Sequence, residues 1–146
     1  MIKVTLDTNV LISATFWTGD SFKIVDKIDK KKIICILSKE ILLEYNKIMN
    51  SDEMIEKIKE KDLIISRVIQ KMIINSKIVE PITKLDIIKE DKSDNKILEC
   101  AKTGNVDYII TKDNHLLKLK EFEGIKIVTP REFNEVHDKN SQTKKF

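Results

Sequence analysis

Short apolar, β-branched runs alternate with segments of helical period along this chain. Ile2 to Leu6, Ile33 to Leu37, Lys77 to Glu80, Asp107 to Thr111 and Ile125 to Val128 read as strands. Between them, apolar residues recur at helical spacing: Phe22, Ile24, Val25 and Ile28, then Ile41, Leu42, Tyr45, Ile48 and Met49, then Ile97, Leu98 and Ala101. Strands this apolar must be covered on both faces, and strands that alternate with helices pair in parallel. The expected fold is therefore α/β: three α/β/α layers around a parallel sheet of four to five strands. A chain of 146 residues holds one such core.

Local signals set the boundaries. Ser38 is placed to cap a helix from Lys39 to about Met49. Asp52 to Ser76 is helical in period, read as two helices with Ile55, Ile58, Ile65, Ile69 and Met72 as core positions. Pro81 closes the third strand, and Gly104 stands where a helix from Ser93 or Asp94 should end. Thr129-Pro130-Arg131-Glu132 combines a capping box with proline at the first helical position. Beyond Val136 the chain is polar, which predicts a domain over 1–136 and a loose tail over 137–146.

Composition removes several classes of function. With 27 basic and 24 acidic residues the net charge is +3, neither a polyanion nor a strongly basic nucleic-acid module. The apolar runs are too short to cross a bilayer, and the first residues lack a secretory pattern, so a cytoplasmic protein with no membrane partner is expected. Cys35 and Cys100 lie in apolar segments at no zinc-binding spacing and read as reduced, buried thiols. Three glycines, Gly19, Gly104 and Gly124, form neither GxGxxG nor a P-loop.

The carboxylates carry the chemistry. Ligands of open parallel sheets bind at the carboxyl ends of the strands. Asp7 directly follows the first strand, and Asp113 lies two residues after the strand ending at Thr111. Asp94 is in the first turn of its helix, in line with Ile97, Leu98 and Ala101, and Glu44 borders the apolar stripe of the helix after Ser38. Each acid taken singly is as readily a surface or capping group. Four converging on one sheet edge would repel one another unless a divalent cation joined them, and Mg²⁺ or Mn²⁺ suits carboxylate oxygen. Such a site fits phosphodiester hydrolysis, in which one ion activates water and a second steadies the leaving oxygen. His115 and His137 have no acid at a telling spacing and read as surface or helix-start residues.

In these stretches the chain resembles the PIN domain family. Leu6-Asp7-Thr8-Asn9-Val10-Leu11-Ile12-Ser13-Ala14 looks like its opening motif, and Ser38-Lys39-Glu40-Ile41-Leu42-Leu43-Glu44-Tyr45 like its second. Asp91-Lys92-Ser93-Asp94-Asn95-Lys96-Ile97-Leu98-Glu99-Cys100-Ala101 is similar to the third, and Asp107-Tyr108-Ile109-Ile110-Thr111-Lys112-Asp113-Asn114-His115-Leu116-Leu117 to the fourth. The resemblance, nearest to the VapC-like toxins of prokaryotic type II toxin–antitoxin pairs, implies an Mg²⁺- or Mn²⁺-dependent endoribonuclease. It further implies an RNA substrate, a silencing protein antitoxin and a homodimer. It places Asp7, Glu44, Asp94 and Asp113 as catalytic metal ligands, with Asn9 and Thr111 supporting them. Two positions depart from the pattern: Ser93 stands where a further acid is frequent, and Lys112 where a small residue is frequent. Lys112 is placed either to contact phosphate or to compete with metal, and Asp91 is either an auxiliary ligand or a loop acid.

Two other readings stay open at the level of sequence. One is a catalytically silent PIN fold that binds RNA or assembles with partners. The other is a phosphatase using Asp7 as nucleophile, which is disfavoured because the position two residues on is Asn9 rather than a second Asp. The neighbours Phe16 and Trp17 either form a partner contact or pack beneath the next helix.

Overall fold

The fold was analysed in a computed structural model, which describes residues 1–16, 19–63 and 67–143. Its elements run β1 (Lys3–Leu6), α1 (Thr8–Thr15), α2 (Gly19–Asp29), β2 (Ile34–Ser38), α3 (Lys39–Met49), α4 (Asp52–Glu60), α5 (Val68–Asn75) and β3 (Lys77–Val79). A single 3-10 turn (Lys92–Asp94) leads into α6 (Asn95–Gly104), followed by β4 (Tyr108–Ile110), α7 (Asn114–Leu117), β5 (Glu121–Phe122), β6 (Ile125–Val128) and α8 (Pro130–Thr143).

The strands form one six-stranded sheet in the order β3-β2-β1-β4-β6-β5. All neighbours pair in parallel except β5, which folds back antiparallel on β6. The sheet is thus larger than the expected four to five strands. The addition is the two-residue β5, turned by Glu123 and Gly124, both at positive φ. Two residues carry too little periodicity to be read as a strand.

Alternation along the strands builds the layers. Thr5 and Ile36 face α6: Thr5 Oγ1 lies 3.8 Å from Cys100 Sγ, and Ile36 sits under Gly104, where an added Cβ would come within 2.6 Å of Ile36 Cγ2. Val4 is in register with Tyr108, whose ring packs edge-on against Phe133 of α8, so α8 covers the opposite face. Gly104 therefore ends α6 by permitting close approach to β2, and the left-handed cap is Asn105, at φ 50°. None of the described helices is long and apolar enough to cross a membrane.

Several expectations need correction. Ile69 and Met72 are core residues, but Ile55 is exposed and α4 buries none of its residues. Ile65 and Trp17 lie outside the described residues. The polar segment after Val136 is helical to Thr143. Lys27 holds it there, donating to Asn134 Oδ1 at 3.0 Å and pairing with Asp138 at 2.9 Å, while His137 stacks on Phe133. The contacts of Lys27 are tertiary, and a search for an apolar stripe does not detect them.

Candidate metal centre

Chain order and strand order together create the site. From the central β1 the chain builds outward through β2 and β3, then returns to add β4 on the other side. A crevice opens where that direction reverses, beyond the carboxyl ends of β1 and β4. Asp7 leaves β1 there, its N–H donating to the Ile110 carbonyl at 3.0 Å, and Thr111 and Asp113 leave β4 beside it.

Asp7 stands at the N-cap of α1, yet its side chain reaches no further into that helix than the Thr8 backbone. Its Oδ2 instead accepts from Thr111 Oγ1 at 2.7 Å, and the same Thr111 hydroxyl accepts from the Asp113 N–H at 3.0 Å. One buried hydroxyl thus bonds the Asp7 carboxylate and the Asp113 backbone, joining the ends of two strands. Asp113 caps α7 by accepting from the His115 N–H at 2.8 Å.

Asp94 arrives from the other direction. The 3-10 turn begins with Asp91, whose Oδ1 accepts from the Ser93 N–H and hydroxyl. Asn95 anchors this approach, accepting from the Ile87 and Ile88 N–H groups and donating to the Ile88 and Lys92 carbonyls. Glu99, one turn further on, accepts from the Leu85 N–H at 2.7 Å. The stretch between Pro81 and Asp91, which has no period in sequence, is thus a loop held by two buried polar groups of α6.

Asp91, Asp94, Asp113 and His115 each offer one ligand atom, all within 4.8 Å of one another. Asp94 is 7% exposed, and its Oδ2 is buried with no hydrogen-bond partner. Burial raises its pKa to about 7, helped by close side-chain contact with the Asp113 carboxyl and then by the charges of Asp113, Asp91 and Asp7. Burial also raises Asp7, against hydrogen bonds from Thr111 and the Thr8 backbone, and the Asp113 charge adds to that rise. The four expected acids are therefore not equivalent. Asp7, Asp94 and Asp113 share one electrostatic neighbourhood. Glu44 forms an ion pair with Lys96 of α6, whose side chain is 15% exposed and whose pKa burial lowers against the charges of Asp7 and Glu40. Asn9 is exposed on the first turn of α1. Lys112 is exposed and donates to Ser13 Oγ at 3.0 Å. Sequence reasoning missed His115 and Lys96. His115 is two residues from Asp113, but its ring also lies 3.8 Å from Asp94, a contact between separate segments of the chain.

The PIN domain family model matches residues 3–115, which include every residue of this cluster. The chain belongs to the PIN domain family. No curated protein matches the sequence. PIN domains are generally divalent-metal-dependent nucleases acting on nucleic acid, and this PIN domain carries an acidic cluster of the kind such chemistry uses. The residues fit a divalent ion on structural grounds: hard oxygen donors, mutual repulsion, and a buried carboxylate oxygen with nothing to accept from.

A pH dependence follows from Asp94. Its folded pKa lies above the 3.8 of the free group, so between about pH 4 and 7 the native chain binds more protons than the unfolded one. This contribution to stability is absent above pH 7 and grows as pH falls through that value. The metal-free PIN domain should therefore melt at higher temperature at pH 6 than at pH 8. A fluorescence melt series in chelator checks this, and in Asp94→Asn the difference should shrink.

Proposed function

We propose that this PIN domain is an endoribonuclease that hydrolyses RNA phosphodiester bonds using Mg²⁺ or Mn²⁺, and that it acts in the cytoplasm as the toxin of a toxin–antitoxin pair. The observation that carries the nuclease reading is the buried Asp94 Oδ2, which makes no hydrogen bond although its carboxyl is clustered with Asp91, Asp113 and His115. A divalent ion bound there would supply Lewis acidity and a water of lowered pKa. Asp94, Asp113 and Asp7 would hold it, with Thr111 fixing the Asp7 carboxylate and the backbone of Asp113. Lys96 offsets negative charge at the Asp7 side of the crevice, where Glu44 would join the ligand set on release from its ion pair.

RNA is supported by the rim. A groove of about 260 Å³ is lined by Lys112, Thr129 and Arg131 together with Asp20, and its two cations can meet a phosphate backbone. A cavity of about 680 Å³, lined by Asn105, Asp107 and Gly124, sits at the opposite strand ends, away from the carboxylates. The toxin part, the protein antitoxin and the homodimer rest on the resemblance of the motifs.

The test is incubation of the purified chain with single-stranded RNA. Cleavage should require Mg²⁺ or Mn²⁺, stop with EDTA, and be lost in Asp7→Asn. One observation favours a second reading, an RNA-binding PIN fold without turnover: the Lys96–Glu44 pair removes one acid from the metal-binding set. RNA binding with no cleavage at any divalent concentration decides for it.

A further inference from the structure

The sequence presents this centre as all-oxygen, but a nitrogen faces it. His115 Nδ1 lies 3.4 Å from Asp113 Oδ1 and 3.8 Å from Asp94 Oδ2. Neither Nδ1 nor Asp94 Oδ2 makes a hydrogen bond, although both atoms are buried. Leaving two such groups facing each other unsatisfied is costly, and a cation bound by both removes the cost. The spacing suits this. Around an ion with bonds of about 2.0–2.2 Å, adjacent ligands stand roughly 3 Å apart and opposite ones roughly 4.4 Å, so the cluster needs to contract by only a few tenths of an ångström. The ring is held in place because Asp113 caps α7 through the His115 N–H and Leu116 is fully buried beneath that turn.

We propose that His115 is a metal ligand through Nδ1, and that this mixed nitrogen and oxygen centre selects Mn²⁺ over Mg²⁺. The inference rests on the reading of the cluster as a divalent-metal site. Mg²⁺ keeps its waters and takes oxygen donors, whereas an imidazole nitrogen favours ions higher in the transition series.

The test uses the full chain and Mn²⁺ alone, with no substrate. Loss of the free-ion EPR signal reports binding, and pulsed EPR reports nitrogen on the bound ion. The expected result is one bound Mn²⁺ with a ¹⁴N coupling that disappears in His115→Gln, together with Mn²⁺ affinity at least roughly tenfold above that for Mg²⁺, a gap that narrows in the variant. The His115 side chain is 40% exposed, so the variant should keep its fold, which a thermal melt verifies. Bound Mn²⁺ without nitrogen coupling, or coupling that persists in His115→Gln, overturns the His115 inference and leaves the carboxylate site standing. No bound Mn²⁺ at all overturns both.

Discussion

Asp94→Asn should abolish divalent-dependent RNA cleavage and at the same time make the metal-free protein more stable. The two effects share one cause. Asp94 is almost fully buried beside Asp113, Asp91 and Asp7, and keeping it ionised there costs free energy that a bound cation would return. Asn keeps the shape and removes the charge. Cleavage should fall by about 10²- to 10³-fold or more, the scale for losing one charge-stabilising group at a reaction centre. At pH 8 in chelator, relief of the burial and repulsion should be worth on the order of 2 kcal/mol, or roughly 4–8 °C in Tm for a chain of this size. Saturating Mn²⁺ should raise the Tm of the parent chain and leave the variant nearly unchanged. Parallel melts and gel-based cleavage assays check both halves. Lost activity with a lowered Tm would make Asp94 a structural residue instead.

Phe133→Ala is expected to have the largest effect on folding. The family match ends at residue 115, but the fold does not: β6 pairs with β4, and α8 seals one face of the sheet. Phe133 is 1% exposed, its ring 5.3 Å from that of Tyr108 and 5.7 Å from Lys27 Nζ. Removing it should cost about 3–5 kcal/mol, a large share of the roughly 5–15 kcal/mol that holds a domain folded. The Tm should drop by on the order of 10 °C, with a smaller drop for Phe133→Leu. An unchanged melt would mean that α8 is not docked as described.

The parts legible in sequence are those set by local chemistry. Ser38 accepts from the Ile41 N–H as its position predicts, and the Thr129–Glu132 capping box forms in both directions. Apolar runs mark β1, β2 and β4 because a buried parallel strand needs such residues on both faces. Asp7 and Asp94 are buried because the crevice lies at the strand ends that follow from this topology. What stayed hidden depends on tertiary contact. Nothing near Glu44 in sequence shows that Lys96, from another helix, will meet it. Nothing in the polar run after Val136 shows that Lys27 will pair with Asp138. The amphipathic pattern of α4 correctly predicts a helix and wrongly predicts its burial, since periodicity reports a face and not what covers it.

The central claim is that acids from separate segments of this PIN domain share a divalent ion. Anomalous diffraction from crystals grown with MnCl₂ tests it most directly. The account predicts a manganese peak enclosed by Asp94 and Asp113, with Asp7 on its border. Ordered density for these side chains with no peak among them, at a Mn²⁺ concentration that supports cleavage, would contradict it.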